Sequence, residues 1–192
     1  MMKINRKTKE TEISGELKLY GSGENEISTG IGFFDHMLEL FSFHSCFDLK
    51  LECKGDLEVC GHHTVEDVGI VLGEAFKKSL PADKSIVRYA SSHVPMDEVL
   101  VRAVIDISGR PFLLFEADFD LDKIGNFDTE LVLEFFQAFV NNAGILLHLK
   151  ILYGMNTHHK IEALFKAVAV GLRQAVKPDA NRKGPASSKG KL

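Results

Sequence analysis

The feature that most restricts this chain is an internal repeat. His62-His63-Thr64-Val65-Glu66 opens a helical pattern that continues through Ala75, Phe76 and Lys77, and His158-His159-Lys160-Ile161-Glu162 opens another that continues through Phe165, Lys166 and Ala167. Ahead of each lies a helical pattern with a double Phe near its start, Phe33-Phe34 and Phe135-Phe136, and then an apolar strand candidate, Phe47–Leu51 and Ile145–Leu152. One supersecondary plan is used twice. The chain therefore reads as α+β, with two half-domains at 1–90 and 91–180. Each is a mostly antiparallel sheet with helices on one face, and the segment 181–192 is a flexible Lys/Gly/Ser tail.

Apolar residues recurring every three to four positions predict helices over Phe33–Phe43, Val65–Leu80, Leu131–Ala143 and His159–Val176. Phe34, Met37, Leu38 and Phe41 form the stripe of the first. Alternation and β-rich composition predict strands over Thr11–Tyr20, Phe47–Val59 and Val99–Ile107. A turn at Ser108-Gly109-Arg110-Pro111 followed by apolar Phe112–Phe119 predicts a hairpin with the last of these.

Composition excludes several classes of partner. Lys and Arg number 23 against 27 Asp and Glu, a net charge of −4, so no basic excess points to nucleic acid. No apolar run is long enough to span a bilayer, and the first residues lack the apolar core of a secretory signal, so no membrane partner is expected. Cys46, Cys53 and Cys60 are odd in number and form no CxxC pair, which suits a reduced, cytoplasmic compartment. The distinctive count is eight His.

In HHxxE on a helix, each His and the Glu stand at i,i+4 or i,i+3 and share neighbouring surface rows, whereas the adjacent imidazoles diverge by about 100°. Glu66 can therefore share a metal ion with one of His62 and His63 while the other points elsewhere; Glu162 stands in the same relation to His158 and His159. Two such segments yield two sites, each drawing on both segments, with His36 and His148 completing the set. Imidazoles plus a carboxylate, with no thiolate, suit Mn, Fe, Co, Ni or Zn as a divalent ion. Four protein ligands on an octahedral ion leave positions open for substrate. His44 and His93 fall outside this pattern, with structural or supporting roles.

The remaining polar candidates read two ways. Arg110, in its tight turn, and Arg88 suit either a phosphate clamp or a surface salt bridge. Ser187, Ser188 and Lys189 supply hydroxyls and an ammonium in a Gly-rich stretch, fit for a small anion or for a solvated tail. The C-terminal cations Arg182, Lys183 and Lys191 belong to the same stretch. Glu10 suits a solvated strand edge as well as a catalytic role.

Taken together, RKTKET (6–11), STGIGFFDHML (28–38), GHHTVEDVGIVLGEA (61–75), VPMDE (94–98), DISGRPF (106–112), NTHHKIEALFKA (156–167) and SSKG (187–190) resemble the imidazoleglycerol-phosphate dehydratase family of histidine biosynthesis, in order and spacing over nearly the whole chain. The resemblance implies a ribosomal protein S5 domain 2-like fold with helices packed between the halves. It also implies a homo-oligomer of about 24 subunits built from trimers with shared active sites. Two Mn(II) ions per site would be held by His36, His62, His63, Glu66, His148, His158, His159 and Glu162. Glu10 takes the place of the family's acid/base carboxylate. Substrate contacts are implied at Glu10, His36, His62, Glu66, Arg88, Arg110, Ser187, Ser188 and Lys189. Two positions depart from the family pattern: Leu40 stands where a Gln is frequent, and Cys60-Gly61 precedes the first His pair in place of an acidic pair. The reaction so implied is dehydration of imidazole glycerol phosphate through an imidazolate bridged by the two ions.

Overall fold

The structure, a computed structural model, describes residues 1–82, 85–181 and 184–189. The first half contributes β1 (Met2–Lys7), β2 (Thr11–Lys18), β3 (Asn25–Ser28), α1 (Gly32–Ser45), β4 (Asp48–Gly55) and α2 (His62–Ser79). The second contributes β5 (Tyr89–Met96), β6 (Val99–Asp106), β7 (Phe112–Glu116), the short pair β8 (Lys123–Ile124) and β9 (Phe127–Asp128), α3 (Leu131–Ala143), β10 (Leu146–Tyr153) and α4 (Thr157–Ala175). The fold is α+β.

The two large sheets have matching orders, β1-β2-β4-β3 and β5-β6-β10-β7. In each, two antiparallel pairings are followed by one parallel pairing, β3 with β4 and β7 with β10. This order corrects the predicted hairpin: β6 and β7 do not pair, because β10 lies between them. The 107–111 connection therefore spans two strand spacings, about 10 Å. What draws β10 inward is its apolar row, with Leu147 and Leu149 fully buried, so it takes a central place. The turn at Gly21–Gly23 makes the same wide step from β2 to β3 around β4.

The helices occupy the space between the sheets. α2 rests on β1 and β2, α4 rests on β5 and β6, and the halves meet where α1 packs on α4 and α2 packs on α3. The Phe pairs explain the α1–α4 side. Phe135 of α3 bridges the two helices, meeting Phe34 edge-on at 5.4 Å and stacking on Phe165 at 5.1 Å; Phe136 lies 4.9 Å from Phe165, and all four rings are buried. Close approach explains the α2–α3 side. A Cβ on Gly69 or Gly73 would stand 2.8 Å from the Phe135 carbonyl oxygen or 2.5 Å from that of Phe139, so only glycine permits this crossing. These two contacts fix where the N-termini of α1, α2 and α4 lie, and the His/Glu segments sit at those N-termini.

No helix among the described residues is long and apolar enough to cross a membrane.

Candidate active site

His36 sits in the first turns of α1 and His158 in the first turn of α4, so the α1–α4 contact brings together residues 122 positions apart in the chain, the difference of their numbers. His36 Nε2 and His158 Nε2 lie 3.7 and 3.1 Å from the same Glu162 oxygen, and the three ligand atoms fall within 4.8 Å of one another. Burial pushes the Glu162 carboxyl up, but the Lys166 ammonium and His158 draw it down further, so it stays ionised below the usual carboxylate range. Two imidazole nitrogens and a carboxylate at this separation fit a divalent cation. Lys166 occupies the other Glu162 oxygen. His44, on α1 near Lys166, is held below its ordinary value by burial and by that ammonium.

At α2, His62 Nε2 lies 3.8 Å from Glu66. Here the partner helix is α3, which carries no His, and among the described residues no third candidate ligand gathers at this pair. In both segments the adjacent imidazoles do diverge, with ring planes 85° apart in His62–His63 and 84° apart in His158–His159.

His63 and His159 are each gripped by a carboxylate that sequence reasoning missed. Asp56, just after β4, takes His63 Nδ1–H with both oxygens at 3.1 and 3.0 Å. This hydrogen bond raises the imidazole above its ordinary value. Glu98, in the β5–β6 turn, takes His159 Nδ1–H at 2.9 Å. Its other oxygen accepts the backbone N–H groups of Met155 and Asn156 at 3.2 and 2.8 Å. The Asn156 N–H first, then His159, hold the Glu98 carboxyl down at about 2. Asn156 itself caps α4, accepting the His159 backbone N–H at 3.2 Å. In the neutral imidazole, a carboxylate accepting from Nδ1–H leaves Nε2 without the proton, the arrangement a metal-ligating imidazole uses. No local signal links Glu98 to His159 across 61 residues; only the fold does.

Glu10, in the β1–β2 connection, is exposed, and its Oε1 stands 3.8 Å from His63 Nε2. It is thus within reach of whatever that nitrogen binds. His148 lies apart from these clusters. On β10 it alternates with inward-facing Leu147 and Leu149 and so belongs to the outer face of the second sheet, opposite the helices. His93 is exposed on β5.

The predicted phosphate residues come together. Arg88, Arg110, Ser187, Ser188 and Lys189, with Tyr89 and Ser108, line one pocket of about 440 Å³. Arg88 is already engaged. Its Nε and Nη2 donate to the two oxygens of Asp106 at 2.6 and 3.1 Å, its Nη1 donates to the Ala186 carbonyl at 2.6 Å, and the guanidinium lies over the Tyr89 ring. Arg182, Lys183, Gly190 and Lys191 lie outside the described residues. Leu40 is partly buried and packs on the core.

An α+β scaffold that brings imidazoles and carboxylates to helix N-termini, with a separate cationic pocket, fits the class of enzymes that act on small anionic molecules. Similarity narrows the class. The family model for imidazoleglycerol-phosphate dehydratase matches residues 29–172. The dehydratase of that name from Clostridium botulinum strain Hall is 58% identical over 190 residues, covering 99% of this chain and 97% of the relative. That of Acetivibrio thermocellus is 57% identical over 98% of this chain and 97% of its own. The crystal structure of the dehydratase from Staphylococcus aureus N315 superimposes with a TM-score of 0.83 at 43% identity, covering 93% of this chain and all (100%) of that one. The Pyrococcus furiosus structure, in complex with (S)-C348, gives 0.85 at 35% identity, covering 98% of this chain and 100% of that one. The chain belongs to the imidazoleglycerol-phosphate dehydratase family, a family of hydro-lyases.

Proposed function

We propose that the protein dehydrates D-erythro-imidazole glycerol phosphate to imidazole acetol phosphate in histidine biosynthesis, with two Mn(II) ions per site. The observation that carries this reading is the 58% identity to a curated dehydratase over 99% of the chain. The grouping of His36, His158 and Glu162 within 4.8 Å supports the metal requirement. The ligand set is His36, His62, His63, Glu66, His148, His158, His159 and Glu162, and free Cys46, Cys53 and Cys60 suit a reduced cytoplasmic setting.

The hydroxyl to be lost sits on C3, the carbon attached to the imidazole, and the proton to be removed sits on the next carbon, C2; neither leaves readily at neutral pH unless the ring supplies electrons to expel the hydroxyl. When bound by the His and Glu ligands, divalent ions would act as Lewis acids that favour the deprotonated ring, which can then expel that hydroxyl. Glu10 then moves the proton at the substrate's C2. The C3 hydroxyl departs as water, and the resulting enol becomes the ketone. Arg110, Lys189, Ser187 and Ser188 hold the phosphate and with it the reacting carbon; His36, His62 and Glu66 line the approach to the ring.

The site is completed by other copies of the chain, in a homo-oligomer of about 24 subunits built from trimers. Two features support this. The α2 pair His62–Glu66 gathers no third candidate ligand among the described residues, and His148 faces away from the helices. Around His148 the outer sheet face carries an apolar patch, with Val104 and Leu114 its direct cross-strand neighbours and Phe112 53% exposed, bounded by Arg102 and the Lys150–Glu116 ion pair. The corresponding face of the first sheet is a lattice of charges, Lys18 with Asp48, Lys50 with Glu26 and Lys54 with Glu52. The apolar patch around His148 is the part suited to a second copy.

The test is a Mn-loaded assay on imidazole glycerol phosphate. Ketone formation without phosphate release supports the dehydratase reading; release of inorganic phosphate identifies a di-metal hydrolase instead.

A further inference from the structure

Glu10 owes its place to contacts made by its neighbours. Its carboxylate is 53% exposed and forms no hydrogen bond among the described residues; it faces His63 Nε2 at 3.8 Å. The backbone beneath it is held firmly. Thr8 Oγ1 accepts the N–H groups of Glu10 and Thr11 at 3.1 and 2.9 Å, and the Glu10 carbonyl accepts Asp56 N–H at 3.0 Å. One buried carboxylate then ties this turn to α2. Asp67, 6% exposed, accepts Thr11 Oγ1–H on one oxygen at 2.5 Å and pairs with Arg6 Nη2 through the other at 2.9 Å. It therefore grips both strands that flank Glu10, β1 through Arg6 and β2 through Thr11. His63 and Asp67 stand at i,i+4 on one face of α2, so the helix meets the hairpin at Asp67 and again at His63, where Glu10 arrives.

The repeat shows that packing does not require this clamp. Arg6 is paired with Ile13, the third residue of β2, and Val94 with Val101, the third of β6. Thr11, which opens β2, has its counterpart in Val99, and Asp67, four residues after the second His, has its counterpart in Ala163. Apolar residues thus stand where the first half has a charged set, Val99 and Ala163 are buried, and the sheet order is the same. A buried ion pair desolvates two charges, a poor way to stabilise a hairpin that the second half packs with valine. What it supplies is direction. We propose that Asp67 is a positioning residue, which through Thr11 and Arg6 sets the β1–β2 turn against α2 and so fixes the Glu10 carboxylate beside His63 Nε2. For its kinetic consequence this assignment rests on the reading of Glu10 as the group that moves the C2 proton; the tie between turn and helix stands without it.

Asp67 adjoins Glu66 of the proposed ligand set, so the clamp is tested from its other end. Thr11→Val removes the hydroxyl donor and inserts the residue that stands at the corresponding place in the second half; Thr11→Ser keeps the donor. In the metal-loaded full chain, Thr11→Val should lower kcat for imidazole glycerol phosphate about 10- to 100-fold, the loss expected when a reacting group shifts by about 1 Å, with KM and bound Mn(II) within about twofold of wild type. Thr11→Ser should recover most of that loss. In a Glu10→Gln background Thr11→Val should cost nothing further, because the carboxylate it displaces is already gone. Amide exchange at Thr8–Glu10, measured without substrate, should accelerate in Thr11→Val. Wild-type kcat in Thr11→Val, a full additional loss in the Glu10→Gln background, or unchanged exchange at the turn overturns the proposal. A loss confined to KM or to bound metal overturns it as well, since the tie would then serve binding. If Thr11→Val does not fold, Arg6→Gln removes the other arm of the clamp and is put to the same measurements. Turnover retained in Glu10→Gln alone overturns the reading of Glu10 and with it this role for Asp67. A wild type without dehydratase turnover removes the proposed reaction instead, and exchange at the turn then decides the tie: acceleration supports it and unchanged exchange refutes it.

Discussion

Glu98→Gln is the most incisive perturbation of the candidate site, because the structure dictates which way the new amide must face. One Glu98 oxygen accepts two backbone N–H groups, from Met155 at 3.2 Å and Asn156 at 2.8 Å, and the other accepts His159 Nδ1–H at 2.9 Å. A glutamine has one oxygen, and two donors outbid one, so the carbonyl stays with the backbone and the NH2 turns to His159. Nδ1 must then accept, the ring proton moves to Nε2, and the nitrogen proposed to bind metal is blocked. Loss of such an orienting carboxylate costs about 10- to 100-fold in metal affinity, or about 1.4 to 2.7 kcal/mol. Asp56→Asn is the matched control. Asp56 uses both oxygens on His63 alone among the described contacts, so an asparagine can rotate its carbonyl onto Nδ1 and retain the tautomer. Titration of the metal-free protein with Mn(II), read by calorimetry and by bound metal per chain, should show a clear weakening for Glu98→Gln and a much smaller one for Asp56→Asn. Equal effects from the two variants, or no effect from Glu98→Gln, would refute the tautomer argument.

Glu10→Gln should retain bound metal and substrate affinity while turnover collapses; substantial turnover would remove Glu10 from proton transfer. At Asp48, burial pushes the carboxyl up, but the Ser22 and Glu24 backbone N–H groups and Lys18 outweigh it and hold it at about 2 against a usual 3.8. A depressed carboxyl stabilises the fold above pH 3.8, and that contribution is lost as pH falls toward 2. With solvent screening discounted it amounts to about 1 kcal/mol. Urea unfolding of Asp48→Asn should therefore show a deficit at pH 7 that shrinks by pH 3, and a pH-independent deficit would count against the charge. Gly73→Ala should cost about 1 to 3 kcal/mol, because the added carbon meets the Phe139 carbonyl at 2.5 Å and the Ala143 nitrogen at 2.9 Å, both of them backbone. A denaturation midpoint equal to that of wild type would show that α3 can withdraw freely.

The helices were legible because burial here follows one periodicity. Leu131–Ala143 matches its predicted bounds, and its double Phe enters the buried aromatic stack. Strands were legible only where alternation was strong. β1, with its run MKINRK, and β5, YASSHVPM, are edge strands with little apolar content, and their pairing is supplied by neighbours distant in sequence. The hairpin failed for a related reason: turn chemistry at Ser108–Pro111 fixes a reversal, but the competition of a more apolar strand, β10, decides what fills the space beside β6.

The same distinction applies to the site. The HHxxE spacing predicts which atoms share a helix face, and the His62–Glu66 and His158–Glu162 distances follow from it. What spacing cannot express is the choice of neighbouring helix. The repeat is symmetric in its α2 and α4 segments, yet α4 meets an α1 that carries His36, and α2 meets an α3 that opens on Leu131, Val132 and Leu133. The two segments thus give like His/Glu pairs, and among the described residues only the α4 pair gathers a third candidate ligand, His36. His148 was added on the opposite side of a sheet, where alternation forbids it from turning inward without exposing Leu147 and Leu149. In the proposed ligand set, His148 could therefore serve only a site on another copy of the chain. On this argument, metal occupancy and subunit association rise and fall together.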